Sequence, residues 1–285
     1  MDVSIIIVNY NTKELTKNCL KSVFEKTQDV SFEVFVVDNN SNDSSCKMIE
    51  QEFPQVKLIK NNENKGFGAA NNLAIRESNA KYLFLLNSDT ILLNNVVKIF
   101  FEFMEQAESQ NVSCCGGNLY DEKLNYSYYY SVFPAIEQVF FKRFYLDKFF
   151  KNYYQKRFAL GGYEESASVK EVDSVSGADM FLRKSVLDEV GLFDEDFFLY
   201  YEETELSWRM NKSGYKSVIV PDARVIHLAG ASESESFDKF KIVKQSELMF
   251  FEKCYGKAQK FLVKLIHIFE NVPRFLVNRF KNNDG

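Results

Sequence analysis

The 285-residue sequence predicts an α/β fold in which a mainly parallel central sheet is flanked by helices and followed by a helical C-terminal extension. Three observations predict it. Over the first 120 residues, short apolar runs alternate with helix-length amphipathic segments, the pattern of βαβ units. Each of these runs ends in a polar loop, as strands of open α/β sheets do where their C-terminal ends form a ligand crevice. From residue 235 onward the chain reads as two helices, broken at Pro273 and at Gly256.

In chain order, strands are expected at residues 3–8, 32–37, 56–59, 82–86 and 112–115, with helices at 13–25, 44–52, 68–76 and 94–108 between them. The loops that follow the strands carry Asn9-Tyr10-Asn11, Asp38-Asn39-Asn40-Ser41, residues 61–66 and Asn87-Ser88-Asp89. Regularity fails between residues 120 and 171. Within that stretch, residues 140–158 hold six Lys or Arg against the single acid Asp147, interleaved with Phe and Tyr, and mark an aromatic, basic insertion near 134–165. Order returns with a strand at 172–176, a helix at 184–190, a helix beginning near Glu203 and a strand at 217–220.

Composition narrows the function. A hydrophobic content of 46% lets a chain of this length bury the core of one large domain. A net charge of −5 argues against nucleic-acid binding through bulk charge, which needs dense Lys and Arg surfaces. Five cysteines without a CxxC pair suggest neither a disulfide framework nor a zinc site, and a reducing cytoplasm fits them best. Met1-Asp2 leads straight into a strand without the basic flank of a secretory signal, and no apolar run reaches the roughly 18 residues that span a bilayer.

Five constellations could carry chemistry, and each has a plainer structural reading. The run from Asp38 to Asp43 could meet a nucleotide's base and ribose, or form an Asx-rich turn capping the next helix. Asn64-Lys65-Gly66-Phe67-Gly68-Ala69-Ala70-Asn71 could turn backbone N–H groups toward a diphosphate, or simply start a helix; it is not a P-loop. Asp89 could hold a hard divalent cation that keeps waters and phosphates as its other ligands, or cap a helix. Glu202, Glu203 and Glu205 follow the aromatic run Phe197-Phe198-Leu199-Tyr200-Tyr201. Acids suit any first helical turn, but a carboxylate held against aromatic rings is desolvated and made more basic. His227, one of only two histidines, lies beyond a strand and a proline-bearing loop and could be a satisfied core residue or a metal or phosphate ligand.

Taken in order, Ile5-Ile6-Ile7-Val8-Asn9-Tyr10-Asn11, Val36-Val37-Asp38-Asn39-Asn40-Ser41, Asn64-Lys65-Gly66-Phe67, Leu86-Asn87-Ser88-Asp89, Gly191-Leu192-Phe193-Asp194-Glu195 and Tyr201-Glu202-Glu203-Thr204-Glu205-Leu206-Ser207-Trp208-Arg209 resemble the inverting family 2 glycosyltransferases over residues 3 to 255, and most of all their bacterial rhamnosyltransferase-like branch. The resemblance implies a GT-A fold. It also implies that residues 1–118 form the half that binds a nucleotide-diphosphate sugar, residues 119–233 the acceptor-binding and catalytic half, and residues 234–285 a helical extension. Asn9, Asn11, Asp38, Asn40, Gly66, Asn71, Asn87 and Ser88 would border the donor. Asp89 matches the metal-binding end of the family's DXD motif, whose first Asp is here Asn87, and His227 falls where relatives carry a histidine near the metal and diphosphate. The family's catalytic aspartate falls on Glu203, one methylene longer, with Glu202 and Glu205 as neighbours.

The implied reaction is displacement at the anomeric carbon of dTDP-rhamnose or a UDP-sugar, with Mg²⁺ or Mn²⁺ at the diphosphate and a saccharide or lipid-linked saccharide as acceptor, in bacterial cell-surface polysaccharide synthesis. A nucleotidyltransferase, or an inactive sugar-binding or scaffold protein on the same fold, would share part of the pattern. A processive synthase would need transmembrane spans and a QxxRW-like motif. The segment from 253 to 281 holds seven Lys or Arg against Glu270, among Phe261, Leu262, Leu265, Ile266, Phe269, Phe275, Leu276 and Phe280. Such a helix could rest on the inner, cytoplasmic face of an anionic membrane, or pack on the domain.

Overall fold

The computed structural model describes residues 1–127, 130–158, 166–228 and 238–269. The strands are β1 (Val3–Asn9), β2 (Phe32–Asp38), β3 (Lys57–Lys60), β4 (Tyr82–Asn87), β5 (Thr90–Leu92), β6 (Val112–Tyr120), β7 (Tyr130–Ser131), β8 (Lys170–Val172), β9 (Ser174–Val175), β10 (Asp179–Arg183) and β11 (Lys216–His227). The helices are α1 (Lys13–Lys26), α2 (Ser45–Glu52), α3 (Phe67–Glu77), α4 (Val96–Glu105), α5 (Ile136–Arg143), α6 (Leu146–Phe149), α7 (Lys151–Phe158), α8 (Lys184–Val190), α9 (Glu202–Lys212), α10 (Lys239–Phe250) and α11 (Lys257–Phe269).

The run Ser4-Ile5-Ile6-Ile7 of β1, with its three β-branched isoleucines, is buried on both faces, so it can only be an interior strand. It pairs in parallel with β2 on one side and β4 on the other, and β3 continues the sheet beyond β2. The full order is β3-β2-β1-β4-β10-β6-β11-β5, with β8 pairing β11. β10 runs antiparallel between β4 and β6, while β6 and β11 are again parallel. The C-terminal ends of β1, β2, β4, β6 and β11 therefore share one edge of the sheet. Helices cover its faces, and stacked rings of Tyr82, Phe84, Phe100 and Phe181 fill the core where β4, β10 and α4 meet.

The largely parallel sheet and the C-terminal helices match the sequence expectation, and several elements depart from it. The central strand β10 was not expected, because five residues bounded by Asp179 and Arg183 merge with the helix that follows. Its place is set by non-local pairing with β4 and β6. β5, read as loop, exists because it pairs with β11. The expected 94–108 helix starts at Val96, where the Asn95 side chain accepts from the Lys98 N–H, and ends at Glu105 before a 3₁₀ turn. The expected strand at 172–176 divides between β8 in the main sheet and β9 in a two-stranded sheet with β7. The insertion folds as α5, α6 and α7 over its described part.

Pro221 does not lie in a loop. β11 runs through it to His227, with register shifts between Lys216 and Ser217 and again between Ile219 and Arg224. A residue without an N–H is accommodated in a strand at such an irregularity. In the tail, α10 passes through a π turn at Phe251–Tyr255 to Gly256, whose φ of 92° suits glycine, and α11 begins at once. The Pro273 break and the apolar residues Phe275, Leu276 and Phe280 lie outside the described residues, as does the stretch that follows Leu228. A second core of Val139, Phe197, Phe250, Phe251 and Val263 joins α5, the approach to α9, α10 and α11. Among the described residues no helix is long and apolar enough to cross a membrane.

Gly117 in β6 tests this packing. A Cβ there would lie 2.5 Å from the Ala223 carbonyl oxygen of the adjacent strand. Gly117→Ala is expected to destabilise the fold by about 1–3 kcal/mol, read as a lower urea midpoint at unchanged slope.

Candidate active site

Asn9 closes β1 with no exposed surface. Its amide donates to Asp38 Oδ1 at 2.6 Å and Ser41 Oγ at 2.9 Å, and its oxygen accepts from Thr12 and Thr16 at 2.7 Å each. Asn9 is therefore the pin that fixes the first two loops to each other. Asp38, also buried, accepts the Ser41 N–H at 2.9 Å. Asn11 and Asn40, by contrast, are exposed at the rim in left-handed conformations, φ 56° and 68°, which asparagine adopts more readily than most residues. Thr12 also donates to Ser88 Oγ at 3.0 Å, which ties the first loop to the one after β4.

Gly66 precedes α3 at φ 85°, and a Cβ would sit 2.1 Å from the Phe198 carbonyl oxygen. That oxygen accepts the Phe67 N–H at 3.1 Å. The glycine is required because the segment before α9 crosses directly over the start of α3. Asn71, one turn along, is buried, and its amide donates to the Phe67 carbonyl at 3.0 Å. Asn87 donates its backbone N–H to Ala178, which brings the turn before β10 to the same edge.

Asp89 is not the surface-loop carboxylate that an acidic loop suggests; its side chain has no exposed area. β5 and β11 enclose it, with His227 opposite Thr90 in the register and the Leu228 N–H donating to the Asp89 carbonyl. This pairing places His227 Nε2 3.4 Å from Asp89 Oδ1. Among the described residues no third His, Cys, Asp or Glu completes a metal-binding group. One carboxylate and one imidazole fit a divalent cation whose remaining ligands are phosphate oxygens and water.

The three acids at the start of α9 have separate fates. Glu205 is bound at both oxygens by Arg209, at 2.8 Å each, and Arg209 also holds the carbonyls of Val190, Gly191 and Leu192. Glu202 is buried, and burial together with the charge on Glu203 pushes its carboxyl well above the usual range. Glu203 is half-buried. Burial raises its carboxyl too, against hydrogen bonds from the backbone N–H groups of Glu203 and Thr204. A Cβ on Gly177 would stand 3.8 Å from Glu203 Cγ and 3.7 Å from the Phe67 ring, so Glu203 lies beside the turn that meets Asn87 and the helix start at Gly66.

The sequence reading missed Thr12 and Thr16, whose hydroxyls hold Asn9, and Gly177, which lies beside Glu203. Only the small residues around the turn at 176–178 could have signalled the last.

The description "Glycosyl transferase family 2" matches residues 4–167, more than half of the chain. The chain belongs to glycosyl transferase family 2. This membership sets aside the nucleotidyltransferase reading. Over 215 residues the chain is 27% identical to the low-salt glycan biosynthesis hexosyltransferase Agl10 of Haloferax volcanii, covering 74% of this chain and 62% of that relative's length. It is 26% identical over 246 residues to rhamnosyltransferase WbbL of Escherichia coli, covering 83% of this chain and 87% of WbbL. A 60-residue stretch, 21% of this chain and 20% of the relative, is 42% identical to the N-acetylglucosaminyl-diphospho-decaprenol L-rhamnosyltransferase of Mycobacterium tuberculosis. The fold matches the mannosyltransferase PcManGT of Pyrobaculum calidifontis, solved with GDP-Man and Mn²⁺, at a TM-score of 0.57 and 14% identity, over 94% of this chain and 69% of that one.

Because Glu202 and Glu203 have raised carboxyls, the folded family 2 chain retains protons that the unfolded chain has lost above the ordinary glutamate range. Stability therefore falls as pH rises through that window. Glu202→Gln is expected to be near neutral at about pH 4 and stabilising by about 1 kcal/mol or more at about pH 8. Thermal melts at the two pH values check it, and a larger loss in the variant at the higher pH would count against a buried proton on Glu202.

Proposed function

We propose that this chain is an inverting sugar transferase, taking rhamnose from dTDP-rhamnose or a sugar from a UDP-sugar to a lipid-linked saccharide acceptor in bacterial cell-surface polysaccharide synthesis. The observation that carries the reading is the presence of a desolvated, half-exposed Glu203 and of a buried Asp89 with the half-buried His227 beside it, both at one sheet edge. Asn11 and Asn40 at the rim, and the backbone at Gly66, border the donor, while Asn9 and Asp38 shape its loops from beneath. Asn87 and Ser88 lead into Asp89.

Glu203 takes the proton of the acceptor hydroxyl as that oxygen bonds to the anomeric carbon, and the bond from that carbon to the diphosphate breaks on the opposite face. Configuration inverts. Glu202, holding its own proton, cannot compete as base, and Glu205 is occupied by Arg209. Asp89 and His227 would hold a divalent cation, Mg²⁺ or Mn²⁺, which when bound supplies positive charge beside the leaving diphosphate.

Glu203→Gln is expected to leave donor affinity within about twofold and lower transfer by about 10²-fold or more. Near-normal turnover in this variant, with loss in Glu202→Gln, would move the base. Asp89→Asn, which keeps the buried volume, is expected to abolish the Mn²⁺-dependent part of nucleoside-diphosphate binding in calorimetry. Equal affinity with and without the substitution would sink the metal assignment.

The acceptor class draws on the surface as well as on the M. tuberculosis relative, whose name specifies a diphospho-decaprenol substrate. α11 buries Val263 and His267 but exposes Phe261, Leu262, Ile268 and Phe269, which helical spacing places on one side, with Lys257 and Lys264 along its margin. Phe149 and Phe150 of the neighbouring basic insertion are also exposed. Aromatic and aliphatic side chains bordered by lysines suit the headgroup region of an anionic bilayer. These features support a location at the inner face of the membrane. The full chain is expected to sediment with anionic liposomes at low salt and release at high salt, and Phe261→Glu with Phe269→Glu to abolish this. Retention of the full chain in the supernatant at low salt would exclude a lipid surface.

A further inference from the structure

The C-terminal extension holds the approach to the catalytic helix at two adjacent positions. Ser246 Oγ of α10 donates to the Leu199 carbonyl at 2.9 Å. The next residue, Glu247, accepts the Tyr201 hydroxyl at 3.2 Å through one oxygen. Through its other oxygen it meets His267 Nε2 of α11 at 2.7 Å and Arg143 of α5 at 3.2 Å. Burial alone would raise the Glu247 carboxyl, but the hydrogen bond to His267 and the Arg143 charge outweigh it and hold the group below its ordinary value. Glu247 is therefore a buried anion on which three elements converge.

Tyr201 is the residue immediately before Glu202 and Glu203. It and Tyr200 both sit in the left-handed region, at φ 71° and 67°. Two successive bulky residues there are unfavourable, so the surrounding structure must impose the conformation. The turn they form sets the direction in which α9 leaves, and with it the position of the Glu203 carboxyl beside Gly177. Contacts at both ends hold it: the Phe67 N–H on Phe198 at one end, and Ser246 on Leu199 and Glu247 on Tyr201 at the other.

We infer that Ser246 and Glu247 are positioning residues for sugar transfer, acting through Leu199 and Tyr201 respectively on the orientation of Glu203. The inference rests on Glu203 being the base. The extension is then part of the catalytic apparatus without touching substrate. Reacting groups displaced by about 1 Å can lose about 10²-fold in rate, so partial release of the turn should cost about tenfold.

The test uses the full chain with Tyr201→Phe, Ser246→Ala and Glu247→Gln, each singly, and the pair Tyr201→Phe with Glu247→Gln. Tyr201→Phe removes one hydroxyl and leaves the ring in place and the Arg143 and His267 contacts on Glu247. It is expected to lower kcat about tenfold, keep donor KM within about twofold and shift the acidic limb of the kcat–pH profile. The pair should lose little more kcat than Glu247→Gln alone. Fluorescence of Trp208, the single tryptophan, which packs against Phe250 and Tyr255, verifies that each variant is folded. Parent kcat and parent pH profile in folded Tyr201→Phe and Ser246→Ala would overturn the inference. Should Glu203→Gln itself keep turnover, the base assignment fails separately from the positioning role.

Discussion

The site depends on how the stretch from Phe193 to Tyr201 is clamped between α3 and α10. On the α3 side, Asn72 exchanges hydrogen bonds with the Phe193 N–H and carbonyl, Glu195 binds Asn72 and Arg76, and Phe198 caps the helix start. On the α10 side, Lys253 reaches Asp194 and Asp196 at 2.6 Å each, and Phe197 is buried against Phe250 and Phe251. A segment with almost no regular structure of its own thus fixes the distance between the loop at Gly66 and the acids of α9. Its Phe193 N–H and carbonyl and its Phe198 and Leu199 carbonyls are paired by neighbouring elements rather than by a helix or sheet ladder, while Asp196 and Phe197 bond back to Asp194.

This clamp explains why glycine is needed at Gly66 and why aromatics fill the space between. Backbone approaches a second backbone at Gly66, where any Cβ would overlap the Phe198 carbonyl. At Gly177, by contrast, a Cβ would make ordinary contact with Glu203 and the Phe67 ring. The rings exclude water from the Glu202–Glu203 pair, and neighbouring carboxyls in a dry site cannot both ionise readily. Both carboxyls are raised, and that of Glu202, the more buried member, lies well above its ordinary range. Burial depth, not sequence position, separates the two roles.

Most of the donor-side frame was legible in the sequence, because it is local. The strands at 3–8, 32–37 and 82–86 and their polar loops follow from hydrophobic runs and turn residues alone, and helices start within a residue or two of their expected positions. What was not legible is long-range. β10 is an interior strand only because β4 and β6 flank it. β5 is a strand only because β11 returns to it, and the same pairing buries Asp89 and brings His227 to it. In the part of the amphipathic tail described, one side of α11 packs on the domain, while another stays exposed. Periodicity reports that a helix has apolar sides but not which of them finds a partner.

The Asn87-Ser88-Asp89 loop shows how a lost charge is offset by placement. A loop with two aspartates would attract a cation more strongly than Asp89 alone. Asp89, however, lies out of solvent with an imidazole 3.4 Å away, and a carboxylate in such surroundings interacts more strongly with a nearby charge than an exposed one does. With one acid fewer, the loop also repels an incoming diphosphate less. Under the proposed function, the arrangement would favour a cation that arrives with the nucleotide over one held permanently, with the β5–β11 pairing, rather than the acidic loop itself, setting the place of both side chains.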